Sequence, residues 1–183
     1  MAINHKAKLK FGIMCNGYEF PAWEAQCIQQ LISSGYAEPV LLIRDVTEQK
    51  QEPVFKKLFR SSCLAELFDL WWIRKRVKTL KKVSMLDTLK EVETIDCKII
   101  LKGKFSQYFT DQDLAIIKSF QLDFIIRFGF NIIRGEILQA ARYGVWSYHH
   151  DDERVYRGTP PCFWEIFHQD AKTGTILQRL TDR

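Results

Sequence analysis

The stretch that decides the fold covers residues 123–182 and reads DFIIRFGFNIIRGEILQAARYGVWSYHHDDERVYRGTPPCFWEIFHQDAKTGTILQRLTD. Its apolar run at 123–128 stops at a glycine, and a second run at 144–149 ends at a histidine, as strands bounded by turn residues do. Helix patterns at 133–142 and 160–167 follow these two runs, and the prolines suit the start of a helix, where a missing N–H is harmless. A last strand is predicted at 175–180.

The N-terminal part shows the same alternation. Residues 8–15 read as a strand that Asn16-Gly17 stops, and a helix pattern then runs from 21 to Gly35. The fully apolar run at 40–43 is typical of a strand buried in a parallel sheet. Further along, a strand is predicted at 97–101 and a helix at 111–120. We therefore predict an α/β fold: a Rossmann-like, mostly parallel sheet with helices on both faces.

One segment interrupts the alternation and carries the charge. Residues 54–82 have a helical rhythm, and we interpret them as an insertion. Residues 56–82 hold nine basic residues against Glu66 and Asp69, a net charge of +7 in a chain whose total is +5. The rest of the chain is therefore slightly acidic, and the basic character belongs to this segment alone. Trp71 and Trp72, beside its arginines and lysines, could bind RNA, a sugar nucleotide or a membrane face, or simply lie on a solvated helix.

Composition narrows the class of protein. The five cysteines are odd in number and form no CxxC pair, which argues against a disulfide framework or a zinc ribbon. The opening MAINHKAKLK has no apolar signal region, and no run of 18 apolar residues occurs. We therefore expect a cytoplasmic protein without a membrane span. The turn after the first strand, residues 15–21, lacks GxGxxG and GxxxxGK[ST], so a dinucleotide or P-loop site is not indicated.

The order of features in the C-terminal third resembles the folate-dependent formyltransferase family, which includes methionyl-tRNA, glycinamide-ribonucleotide and sugar-amine formyltransferases. That family carries a strand, then Gly-x-x-Asn-x-His, a short loop, Tyr-Arg-Gly, a helix with Pro and Trp, and Thr-Gly-x-Thr. In this chain His149 takes the His position. The other matching residues are Tyr156, Arg157, Gly158, Pro161, Trp164, Thr173 and Gly174.

The resemblance implies a site for formyl transfer from 10-formyltetrahydrofolate to an amine, with an amino sugar as the favoured acceptor. It assigns catalysis to His149 and to Ser147, which stands where the family has Asn. Arg157 is a candidate substrate contact. The resemblance also implies pterin contacts, mainly through the backbone, at Phe130, Asn131, Ile132 and Ile133.

Besides Ser147, two further departures from the family pattern qualify this assignment. The loop after His149 is Asp-Asp-Glu-Arg instead of the family's leader Leu-Leu-Pro loop. The family's third catalytic group, an Asp in an Asp-x-Gly-like loop, is expected just beyond Arg183, and Asp182 is the nearest candidate within the chain. We accordingly predict a single domain over 1–183 that lacks the family's C-terminal part. Alternatives are a non-catalytic folate- or nucleotide-binding relative, and a methionyl-tRNA formyltransferase-like or RNA-binding module, although nucleic acid is not the favoured partner.

A metal site is not predicted. His149, His150, Asp151 and Asp152 are consecutive, and consecutive residues on an extended chain point to opposite faces, so they do not converge on one ion. We interpret His150 as structural or as supporting His149.

Overall fold

The computed structural model describes residues 7–47, 71, 74–103, 105–150, 152, 154–156 and 162–182. The strands are, in chain order, β1 (Leu9–Cys15), β2 (Glu19–Pro21), β3 (Ala37–Asp45), β4 (Lys82–Ser84), β5 (Glu93–Cys97), β6 (Ile100–Lys102), β7 (Ser106–Tyr108), β8 (Phe124–Arg127), β9 (Ile132–Ile133), β10 (Val145–His150) and β11 (Thr175–Arg179). The α-helices are α1 (Ala22–Ser33), α2 (Arg74–Arg76), α3 (Leu86–Leu89), α4 (Asp111–Ser119) and α5 (Phe163–Phe167).

A six-stranded sheet with the order β11-β10-β8-β1-β3-β5 forms the centre of the fold. Every pair in it is parallel except β10 with β11, which is antiparallel. From β1 the chain first builds toward β3 and β5, and then returns to the other side of β1 with β8 and β10. The strand order therefore reverses between β1 and β8, and ligands bind at the carboxyl ends of strands at such a point.

Helices cover both faces of the sheet. Alternate residues of the strands lie on opposite faces and contribute to two separate hydrophobic cores. Met14, Ile125 and Val145 pack with α4 in one core. Phe11 and Ile126 pack with α1 in the other. The mostly parallel α/β fold predicted from the sequence is confirmed.

Helix α4 shows how local sequence sets an element's start. The Thr110 hydroxyl accepts a hydrogen bond from the Asp113 N–H at 3.1 Å and so caps the helix. Asp111 and Asp113 lie in the first turn, where negative charge suits the helix dipole. Leu114 and Ile117 are buried against the sheet, which fixes the face that the helix presents.

Two predicted elements differ in the structure. The single strand predicted over 97–101 is instead parts of two strands. β5 ends at Cys97, and Ile100 begins β6, which belongs to a separate three-stranded sheet with β7 and β9. The helix predicted over 133–142 is wrong in its first part, because Ile132–Ile133 pair with β7 as a strand. Only a 3₁₀ helix follows, over Gly135–Gln139.

Most of the predicted basic insertion over 54–82, namely residues 54–70 and 72–73, lies outside the described residues. Its described end contains α2, a 3₁₀ turn over Lys78–Leu80, and β4, which pairs with β2. The predicted helix therefore does not extend to residue 82. No helix among the described residues is long and apolar enough to cross a membrane.

Candidate active site

The candidate site lies where β1 and β8 end, at the reversal of strand order. Asn16 follows β1 and donates a hydrogen bond from Nδ2 to the carbonyl oxygen of Gly129, which follows β8, at 3.4 Å. Gly129 has a φ of +79°, and a Cβ there would lie 2.8 Å from Asn16 Nδ2. The positive φ therefore favours glycine at position 129, and a Cβ there would require the Asn16 side chain to move.

Strand β10 brings Ser147 and His149 to the same face of the sheet, because residues two apart on a strand share a face. Ser147 is only 3% exposed, whereas His149 is half-buried. Among the described residues, the His149 side chain has no hydrogen-bond partner. His150 belongs to the opposite face, where its ring lies 6.0 Å from the Trp23 ring. The two histidines thus occupy different environments.

Ser147 is held by a cation from the neighbouring strand. Arg127 donates to Ser147 Oγ from Nε at 3.1 Å and from Nη2 at 3.0 Å. The Ser147 hydroxyl proton is directed to the Tyr148 carbonyl oxygen, 3.3 Å away. Its oxygen therefore accepts two charge-assisted bonds, and its single proton already has an acceptor.

The same guanidinium holds the loop after β8. Arg127 Nη1 donates to the carbonyl oxygens of Phe130 and Asn131, both at 2.5 Å. Burial lowers the pKa of Arg127. The arginine thus joins the loop to β10 through Ser147.

The predicted pterin contacts occupy this loop in different ways. Phe130 is buried and stacks on Phe109 with ring centroids 5.8 Å apart, and Ile133 is also buried. The Asn131 N–H donates to Gln107 Oε1 at 2.7 Å, and the Ile132 N–H donates to the Phe105 carbonyl oxygen at 3.3 Å. The Ile132 side chain is half exposed. A ligand would therefore meet the Ile132 side chain and the second lone pairs of the loop carbonyls.

Gln107 also supports the loop. It is buried, and its Nε2 donates to Asp45 Oδ2 at 3.3 Å. Asp45 ends β3 and also accepts from the Thr47 N–H at 2.9 Å. The loop is therefore held by Arg127, which ends β8, and by Gln107, the middle residue of β7.

Beyond β10, the described part of the Tyr-Arg-Gly motif is Tyr156. Its hydroxyl donates to Asp170 Oδ2 and lies 3.1 Å from His168 Nδ1, and its ring stacks on His168. The bond to Asp170 raises the pKa of Tyr156 to about 12. Tyr156 is therefore joined to the segment after α5. Arg157, the predicted substrate contact, lies outside the described residues and stays a prediction.

Asp182, the nearest candidate for the family's third catalytic group, is engaged elsewhere. Its carboxylate accepts from the Gly135 N–H at 3.1 Å, and its carbonyl oxygen accepts from Arg134 Nη1 at 2.6 Å. No hydrogen bond joins it to His149 in the described part of the chain. Its role here is to hold the start of the 3₁₀ helix.

An acidic side chain, that of Glu24, also lies near the reversal of strand order. A cavity of about 90 Å³ is lined by residues that include Asn16, Glu24, Lys82 and Gly129. Burial raises the pKa of Glu24 to about 7, and the charge of Lys82 opposes that rise. A carboxyl of this kind exchanges protons near neutral pH.

A larger cavity, of about 560 Å³, lies on the face that α1 covers. Leu31, Phe124, Trp146, Tyr148 and Leu177 contribute to its apolar lining. None of the predicted site residues lines it.

No group of three or more His, Cys, Asp or Glu side chains suited to a metal ion occurs among the described residues. The expectation of a metal-free site stays a prediction.

Sequence reasoning missed Arg127, Gln107 and Asn16 as parts of this site. Arg127 gave a usable signal, because a charged residue at the end of an otherwise apolar buried strand requires partners. Gln107 and Asn16 gave none, since polar residues in turns and short strands are common.

Comparison with known proteins gives matches to formyltransferases. No family model matches the chain. Among curated proteins, a methionyl-tRNA formyltransferase from Prochlorococcus marinus (strain NATL2A) is 24% identical over 102 residues, which are 56% of this chain and 30% of that relative. The match thus spans less than a third of the relative's length.

Solved structures match over nearly the whole chain. Glycinamide ribonucleotide transformylase 1 from Symbiobacterium toebii has a TM-score of 0.53 at 13% identity, covering 96% of this chain and 68% of the other. Phosphoribosylglycinamide formyltransferase from Bacillus halodurans has a TM-score of 0.52 at 15% identity, with coverage of 95% and 73%. The transformylase 1 from Geobacillus kaustophilus has a TM-score of 0.51 at 13% identity, with coverage of 97% and 77%.

The chain therefore has the formyltransferase fold, with its Rossmann-like sheet. The resemblance to the folate-dependent formyltransferase family, which the order of the C-terminal motifs indicated, is confirmed.

Proposed function

We propose that this chain is a formyltransferase domain that moves a formyl group from 10-formyltetrahydrofolate to an amine acceptor, preferably an amino sugar. The observation that carries the proposal is the position of His149: it lies at the carboxyl end of β10, half-buried, on the face of Ser147 and Arg127, within a formyltransferase fold. We also propose a cytoplasmic location, on the cysteine pattern of the sequence.

The chemistry suits a histidine at this point. The neutral amine attacks the formyl carbon, a C–N bond forms to the acceptor, and the bond from that carbon to the folate nitrogen breaks. Negative charge develops on the carbonyl oxygen and positive charge on the attacking nitrogen. His149 would donate a proton to the oxygen or the leaving nitrogen, or take one from the amine, because imidazole serves both roles near neutral pH.

The loop over residues 130–133 would hold the pterin part of the donor. The exposed Ile132 side chain offers an apolar contact, and the Phe130 and Asn131 carbonyls keep acceptor capacity beside their bonds to Arg127. Arg157 would contact the acceptor. Ser147 would contribute by holding Arg127, in the place where the family has Asn.

The test is formyl transfer by the purified chain from 10-formyltetrahydrofolate to a panel of amino sugars, followed by release of tetrahydrofolate. We expect transfer by the wild type and its loss in His149→Ala, with binding of the unreactive probe 5-formyltetrahydrofolate retained. Probe binding without transfer to any amine would instead favour the non-catalytic relative.

A second candidate acceptor is methionyl-tRNA, which is the substrate in the name of the curated relative. Adding charged tRNA to the panel tests it. RNA binding that weakens steeply with salt and survives His149→Ala would favour an RNA-binding module over an enzyme.

A further inference from the structure

We propose that Arg127 is a positioning residue of this site, paired with Ser147: it fixes the loop over 130–133 to the strand of His149 and keeps a positive charge where the oxyanion develops. This inference rests on the proposed formyl transfer. It adds a residue that the motif pattern does not contain.

The hydrogen bonds of Arg127 use the geometry of a guanidinium. Nε and Nη2 share one acceptor, Ser147 Oγ, while Nη1 takes the Phe130 and Asn131 carbonyl oxygens. A planar fork of fixed donors holds three acceptors in one arrangement, which a lysine ammonium does not reproduce. The loop assigned to the donor and the strand assigned to catalysis therefore share one rigid connector.

The charge of Arg127 is not neutralised by its partners. All three acceptors are uncharged oxygens, and no carboxylate forms an ion pair with Arg127 within the described residues. A partly buried cation without a counterion is costly, and its pKa is lowered by burial. An ordered positive charge of this kind stabilises a transition state that carries negative charge nearby. The charge is already in place, so the protein does not have to reorganise during the step.

Serine at position 147 fits this arrangement better than asparagine. The hydroxyl oxygen is small enough to lie 3.0–3.1 Å from two guanidinium nitrogens in a position only 3% exposed. An asparagine side chain is larger, and its NH₂ group would compete with the N–H donors of Arg127 for the same acceptors. Arg127 and Ser147 therefore form a matched pair, so that changing one alters the effect of changing the other.

The experiment compares Arg127→Met, Arg127→Lys, Ser147→Asn and the double variant Arg127→Met/Ser147→Asn. Arg142→Met is the matched control, because Arg142 is exposed and lies 3.9 Å from Asp123. For each protein we would measure the melting temperature, the Kd for 5-formyltetrahydrofolate, and kcat and KM for formyl transfer.

We expect Arg127→Met to weaken probe binding about tenfold, the equivalent of one lost charge-assisted hydrogen bond. We expect kcat to fall about 100-fold as the loop and His149 lose their alignment. Arg127→Lys should recover part of kcat, because it keeps the charge, but not the probe affinity. Ser147→Asn should lower kcat, and the double variant should recover part of that loss.

A folded Arg127→Met protein with kcat, KM and probe Kd within twofold of wild type would overturn the inference, as would strictly additive effects at positions 127 and 147. If Arg127→Met does not fold, Arg127→Lys and Ser147→Asn still test the inference, because kcat and KM are measured separately for each of them. If the wild type binds no folate, the proposed function fails. Amide hydrogen exchange then tests the positioning role of Arg127. Faster exchange confined to residues 130–133 in Arg127→Lys would support that role, and exchange equal to that of wild type would overturn it.

Discussion

The Arg127 guanidinium bridges to the Ser147 hydroxyl just beyond the point where backbone pairing of their strands stops. The parallel pairing of β8 and β10 covers Ile125 with Val145 and Ile126 with Trp146, and goes no further. The two side chains then meet at 3.0–3.1 Å. A side-chain hydrogen bond therefore connects the two strands just past their last backbone pair.

Removing the Ser147 hydroxyl should destabilise the protein. In Ser147→Ala, two guanidinium donors lose their acceptor in a buried position, and we expect a loss of about 2 kcal/mol in the free energy of unfolding. Urea denaturation measures it. The control is Ser119→Ala, which should change stability by less than about 0.5 kcal/mol, because the Ser119 side chain is exposed and its hydroxyl donates to the Ile116 carbonyl oxygen of its own helix. Equal losses in the two variants would contradict this view of Ser147.

Replacing His149 should abolish activity without unfolding the protein. We expect His149→Ala to lower kcat about 10²- to 10⁴-fold, because a general acid–base group is lost. The melting temperature should hold, since the His149 side chain makes no hydrogen bond to the described residues. His150→Ala is the matched control, because His150 lies on the opposite face beside Trp23. A similar loss of kcat in both variants would remove His149 from its proposed role.

Much of the fold could be predicted because its strands are short apolar runs bounded by turn residues. The runs that became β1, β8 and β10 read clearly, and so did the helix that became α4. The strand β9 was missed because Ile132–Ile133 also match the spacing of a following helix. Their pairing with Ser106 and Gln107 depends on residues far away in the chain, which local pattern does not reveal.

The candidate site was predictable only where motif spacing carried it. His149 follows from the order of motifs, whereas the roles of Arg127 and Gln107 depend on contacts between residues about 20 positions apart. Such hydrogen bonds form because the sheet brings strand ends together, so no window of sequence contains them. The same reason explains why the sequence did not reveal the hydrogen-bond partners of Ser147, which the motif order had assigned to catalysis.

Stability should depend on pH through Glu24. Burial raises the pKa of Glu24 to about 7 from an ordinary value of 4.5, so the folded state holds the proton more tightly than the unfolded chain. Its favourable contribution is therefore full below pH 4.5 and is lost as the pH rises through about 7. The glutamine of Glu24→Gln stays neutral at every pH. The free energy of unfolding of this variant relative to wild type should therefore be about 1 kcal/mol higher at pH 8.5 than at pH 4.5, after discounting for partial exposure.

Thermal unfolding across this pH range checks the Glu24 prediction. Glu91→Gln is the matched control, because Glu91 is exposed. If the difference in melting temperature between wild type and Glu24→Gln stays the same from pH 4.5 to 8.5, Glu24 has the same pKa in the folded and unfolded states, and the prediction is wrong.

Gly129→Ala separates backbone strain from loop contact. Gly129 and Gly103 both have positive φ, +79° and +67°, so alanine at either position should cost about 1–2 kcal/mol. A Cβ at Gly103 meets no atom within 4 Å, whereas a Cβ at Gly129 meets the Asn16 side chain at 2.8 Å. Only Gly129→Ala should therefore also displace the loops that meet at the reversal of strand order.

The two alanine variants should consequently lose similar backbone stability but differ in ligand binding. We expect Gly129→Ala to weaken binding of 5-formyltetrahydrofolate about tenfold, and Gly103→Ala to leave it unchanged. Adding Asn16→Ala to Gly129→Ala removes the close contact, so the double variant should unfold like Gly103→Ala in urea. If Asn16→Ala brings no recovery, the cost at position 129 is backbone strain alone, and the contact between the two loops does not shape the site.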